Sequence, residues 1–119
     1  MTAETNPTVG DTPFELLETL RGEDHAWVNI APRYKVTNPD PPWKVSLDST
    51  LECLSVGNAL PSLERRHIED RLAESVYREI PEPERQLLLL VHILLSRGLL
   101  SEEDLSERLR RVRKRLETV

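Results

Sequence analysis

The chain has 119 residues, a formal net charge of −5, 31 % charged residues and only 4 % aromatics, a size that normally makes one domain. Its single cysteine, Cys53, excludes an intramolecular disulfide framework and any multi-cysteine metal site. MTAETNPTVGDTP, at the start, lacks the basic residues and apolar core of a secretory signal, so a cytoplasmic protein is expected.

Charge is unevenly spread. Up to Leu60 there are 9 acids and 4 bases; from Pro61 onward 12 of each. An acidic arm therefore precedes a balanced, charge-rich body. A chain of this size buries only part of its surface, which leaves room for a stabilising partner. The expected fold class is all-α: a small bundle of about four to five helices with an extended Pro-rich N-terminal arm. Residues 1–43 form the arm, with a short helix at about 12–21 that wraps a partner; residues 44–119 form the helical domain.

In chain order, residues 1–11 are polar and expected to be disordered. TPFELLETLRG then predicts a helix: Thr12 and Glu15 have capping-box spacing, Pro13 suits a first helical position and Gly22 a stop. From Glu23 to Trp43 the prolines Pro32, Pro39, Pro41 and Pro42 forbid a long helix, although Trp27, Val28 and Ile30 are apolar. Such an arm either folds over its own helices or lies on another subunit.

A second helix is predicted from about Val45 to Gly57, with Leu47, Leu51 and Leu54 on one side and Cys53 packed as a small hydrophobe. A third opens in PSLERRHIEDRLAESVYREI, capped by Ser62, with Ile68, Leu72 and Val76 at intervals of four. The fourth contains LLLLVHILL, Leu87 to Leu95. Pro81 and Pro83 fit only its first turn and Gly98 ends it. Nine residues fall well short of the roughly 20 that a membrane span needs. A helix apolar all round must be covered on every side, and a second chain is one way to complete the cover. The fifth starts at Ser101, with Asp104 at capping distance, and carries the stripe Leu105, Leu109, Val112, Leu116.

Little in the sequence resembles a self-contained active site. His25, His67 and His92 are far apart. His67 and Asp70 share a helix face, but two ligands are weak support for a metal. His92, inside the apolar helix, reads as a satisfied core or interface histidine. There is no Gly-rich phosphate loop and no nucleophile elbow. RLRRVRKRL from Arg108 is basic, yet lies where a helix dipole favours cations and has no interleaved aromatics, so nucleic acid is not expected. Of the adjacent Arg65 and Arg66, one is expected to face solvent and the other whatever covers the helix, where a guanidinium suits anionic oxygens.

The succession PPWKVSLDSTLECL, ERRHIEDRLAESVY and IPEPERQLLLLVHILLSRGLLSEEDLSERLRRVRKRL resembles the helical N-terminal half of the nitrile hydratase beta subunit. It is more similar still to the beta subunit of thiocyanate hydrolase, where that half is a separate short chain. The likeness runs from about Pro41 to Arg115, and its register places Arg66, Gln86 and Gly98 at family positions without gaps. It implies a non-metal-binding beta-type subunit of a multi-subunit enzyme that adds water to a nitrile to give an amide. A thiocyanate hydrolase beta subunit, or an activator that escorts the alpha subunit during metal loading, is an alternative that the same likeness allows.

By that resemblance, this chain binds no cofactor. Cobalt(III), with iron(III) as the alternative, sits on a partner alpha subunit among oxidised cysteines, and Arg66 is the matching candidate to hydrogen-bond their oxygens. Glu82, Pro83 and Gln86 fall where the family has pocket-lining aromatics. The family's His-Asp-x-Gly-Gly segment and its SH3-like C-terminal half are missing. The missing half implies a third subunit, as in thiocyanate hydrolase and in the nitrile hydratase that acts on toyocamycin. The implied partners are therefore the alpha subunit, an SH3-like subunit and a small nitrile, with no nucleic acid and no membrane.

Overall fold

The structure is a computed structural model and describes residues 9–23, 26–57 and 60–117. Its helices are α1 (Glu15–Arg21), α2 (Trp27–Ile30), α3 (Lys44–Val56), α4 (Ser62–Ala73), α5 (Glu84–Ser96) and α6 (Glu102–Glu117), with a 3-10 turn over Ala31–Tyr34. Among the described residues there is no strand, so the all-α class holds, with one short helix more than expected. Among the described residues no helix is long and apolar enough to cross a membrane.

The core is built around α5. From Pro83 to Arg97 no residue is exposed. The buried cluster joins Leu89, Leu90, Ile93 and Leu95 of α5 to Leu47 and Leu51 of α3, Ile68 and Leu72 of α4, and Leu17 of α1. Part of the cover comes from this chain itself: α1 and the segment before it contribute Leu17 and Val9 to the same cluster, while Leu87, Leu88, Val91 and Leu94 of α5 are only partly buried. That segment is not free: Val9 is buried, Arg71 donates to its carbonyl, and Arg71 Nε lies 3.1 Å from Asp11 Oδ1. Of the stretch expected to be disordered, residues 9–11 are thereby ordered; residues 1–8 lie outside the described residues.

Local signals succeed where their register is right. Gly98 has φ 74°, the left-handed geometry that ends α5. Ser101 Oγ accepts the Asp104 amide at 3.0 Å and starts α6. The Thr12–Glu15 box does not form, because α1 begins with Phe14 as its cap and Glu15 in its first turn. A residue 86 positions away fills the role instead: Glu102 Oε2 accepts the Leu16 amide at 2.9 Å. Ser62 is likewise the first helical residue rather than the cap, which is Pro61.

Two further expectations are corrected. Cys53 is exposed. Leu47, Leu51 and Leu54 define the inner face of α3, and a residue two after Leu51 points to the other side. Helix α4 stops at Ala73, so Val76 lies beyond it. There the chain turns, with the Tyr77 amide donating to Leu72 O at 3.0 Å, and Tyr77 enters the core fully buried.

Candidate functional site

The expected site residues are carried by α4 and by the start of α5, two helices packed on each other. Between them lies a pocket of about 400 Å³ lined by Glu69, Asp70 and Ala73 from α4 and by Glu82, Arg85, Gln86 and Leu89 from the other side. Arg85, Gln86 and Leu89 come from neighbouring positions on α5, and Glu82 from the turn that leads into it. Glu82 and Gln86 are therefore brought together. Pro83 is half-buried beside them, where its carbonyl accepts the Leu87 amide at 3.2 Å as α5 starts. It does not line the pocket.

Arg66 lies one helical turn before Asp70, exposed at the edge of this pocket rather than in its lining. Its neighbour Arg65 takes the inward place, with Nε 3.8 Å from Glu69 Oε2. Both atoms are buried and neither has a hydrogen-bond partner among the described residues. Burial pushes the Glu69 carboxyl above its usual range, while the Arg65 charge pulls it back. On the rim, Arg85 Nε donates to Glu82 Oε1 at 2.9 Å. The pocket is thus a polar, mixed-charge recess with the Arg66 guanidinium beside it, in no ion pair among the described residues. Such a surface suits contact with polar groups more than with hydrocarbon, and Arg66 at its edge suits an anionic oxygen. The sequence does not single out Glu69 and Arg85, and it offers Asp70 only with His67 as a weak metal pair, which lies exposed on α4. The signal that finds them is the same-face spacing of Arg65, Glu69 and Ala73 on α4 against Arg85, Gln86 and Leu89 on α5.

A second polar centre is internal. Tyr77 Oη and His92 Nδ1 are 2.7 Å apart, and His92 Nε2 is 2.8 Å from Gly10 O. A carbonyl only accepts, so Nε2 carries the proton and Nδ1 accepts from the Tyr77 hydroxyl. Both residues are fully buried, and Phe14 packs edge-on to the imidazole with ring centroids 5.0 Å apart. Burial lowers the His92 pKa, an effect that the Gly10 hydrogen bond opposes; burial also pushes the Tyr77 hydroxyl well up, keeping it a donor. His92 is thus a satisfied core histidine. His67 is exposed on α4, and His25 lies outside the described residues. Among the described residues no group of three or more His, Cys, Asp or Glu has metal-binding geometry. The basic run is exposed on α6, where Glu107 lies within ion-pair distance of Arg110 and Arg111.

Compared with protein-family models, curated proteins and solved structures, the chain matches none.

Proposed function

We propose that this chain is the non-metal-binding, beta-type subunit of a multi-subunit nitrile hydratase, inactive alone and completing the active site of an alpha-type partner. The observation that carries the reading is the α4–α5 face. It sets Glu82 and Gln86 in one recess, with Arg66 exposed at its edge and without an ion pair among the described residues. A guanidinium exposed in the isolated chain is available to a partner's anionic oxygens. Arg66 would hydrogen-bond oxidised cysteines on the alpha subunit and so orient them. A cobalt(III) centre, or iron(III) in its place, would supply Lewis-acid chemistry from that partner. The stretch from Pro32 to Asp40, exposed throughout, is the part of the arm best placed to lie on another chain.

One observation favours a second reading. No aromatic side chain lines the recess. A mainly charged surface of Glu69, Asp70, Glu82 and Arg85 without an aromatic wall fits an activator that escorts the alpha subunit and then leaves. Co-expression with the neighbouring genes, followed by size-exclusion chromatography, metal analysis and a nitrile-to-amide assay, separates the two. A stable stoichiometric complex with hydratase activity supports the subunit. A complex that loads metal and dissociates supports the activator. Within a stable complex, Arg66→Ala should lower turnover about 10- to 100-fold, as loss of a group orienting metal ligands does, while assembly survives. Unchanged turnover removes Arg66 from the mechanism.

A further inference from the structure

Helix α6 is the one long helix without a buried residue. None of its side chains belongs to the core cluster. It meets the body through the Glu102 contact to Leu16 and the 3.6 Å approach of Arg113 to Glu23, beside an open cleft of about 570 Å³ between α1 and α6. Its apolar stripe is only partly covered. Leu109 is 38 % and Leu116 69 % exposed, and in the preceding turn Leu99 and Leu100 are 53 % and 38 % exposed. Leu105 and Val112 are only half-buried.

The spacing of that stripe is four, three, four, from Leu105 through Leu109 and Val112 to Leu116. This is the alternation of a coiled-coil seam, and it reads the same in both directions. An identical helix laid antiparallel therefore sets Leu105 against the partner's Leu116, and Leu109 against the partner's Val112. The charges select the same orientation. Four acids lie between Glu102 and Glu107, and six bases between Arg108 and Arg115. Parallel pairing would stack base on base along half the helix. Antiparallel pairing puts each acidic end beside a basic end and opposes the helix dipoles favourably. A surface complementary to itself under a two-fold rotation is what an isologous dimer contact requires.

We infer that α6 is a self-association surface through which two copies of this chain pair antiparallel. Two heptads bury little area, so the dimer is weak and concentration-dependent, in the micromolar range. The pairing helix shares no residue with the α4–α5 pocket, so the two associations are separable by experiment.

Sedimentation equilibrium of the full chain tests this at protein concentrations up to about 500 micromolar, where a micromolar dimer is well populated. A monomer–dimer equilibrium is expected, and Leu109→Asp should weaken it at least tenfold. Because α6 contributes nothing to the core, that variant should keep its helical circular dichroism. A monomer throughout the range, or an unaffected dimer in Leu109→Asp, overturns the proposal. Orientation is read by oxidative cross-linking in a Cys53→Ser background. The double variant Leu105→Cys, Leu116→Cys should cross-link efficiently. Leu105→Cys alone should not, because two such positions lie roughly 16 Å apart in the antiparallel pair. Efficient cross-linking of the single variant would mean a parallel pair and overturn the antiparallel one.

Discussion

His92 shows how a single buried side chain ties distant parts of the chain together. Its two nitrogens engage Tyr77 Oη, 15 residues away, and Gly10 O, 82 residues away. Tyr77→Phe keeps the ring packing but leaves Nδ1 buried without a donor. It should cost about 1–3 kcal/mol in urea denaturation, and a cost near zero would mean that water replaces the hydroxyl. The same histidine sets a pH dependence. Its folded pKa lies below the ordinary 6.5, chiefly because burial disfavours the charged ring. The unfolded chain therefore binds the proton more readily. Its contribution is fully present above about pH 6.5 and is lost as pH falls from there toward the lower folded pKa. Denaturation at a series of pH values should show stability falling in that window, and His92→Gln should flatten the slope. That a histidine amid LLLLVHILL would be satisfied in the core was legible from its apolar neighbours. That Gly10 would be its partner was not, because nothing in either local stretch refers to the other.

At the scale of elements, the signals that worked are those whose partners lie within one turn. Gly98 illustrates this. It sits at φ 74°, and a Cβ there would meet nothing within 4 Å. Gly98→Ala therefore carries a backbone penalty alone, about 1–2 kcal/mol, readable as a lower melting temperature with unchanged circular dichroism. A neutral substitution would show that the α5–α6 turn can shift to an ordinary right-handed conformation. Signals whose register depends on the rest of the fold misplace boundaries. Thr12, Pro13 and Glu15 describe a good helix start, yet α1 begins later because Glu102 already satisfies the Leu16 amide. The alternation of Ile68, Leu72 and Val76 would carry α4 onward, but the chain turns where Tyr77 must enter the core.

For the whole molecule, α1 decides how the arm is to be understood. Leu17 is 1 % exposed and packs in the same cluster as α5, while Pro32 to Asp40 is exposed throughout. The first part of the arm is therefore a wall of the core and only the later part is outlying. Deleting residues 1–21 removes Val9, Leu17, half of the Phe14–His92 ring contact and the Gly10 acceptor together. Loss of buried leucine alone costs about 2–5 kcal/mol. The truncated chain should lose several times the effect of Tyr77→Phe and melt without a cooperative transition. A cooperative melt at the original temperature would show that α3, α4 and α5 are self-sufficient. Deleting residues 32–40 alone should leave the melt unchanged.

Legible in the residues alone were the helical class, the position of α5 as the central element, the stop at Gly98, the cap at Ser101 and the one-sided stripe of α6. All of these rest on periodicity and on contacts between residues a few positions apart. Packing decided that Arg65 turns inward while Arg66 is exposed, that Cys53 faces out, and that α1 joins the cluster around α5. It also brought Glu69 and Asp70 to Glu82 and Gln86 across a pocket of about 400 Å³. Each of these depends on how one helix is rotated against another. That rotation is set by the packing of the whole core, which no local window of sequence contains.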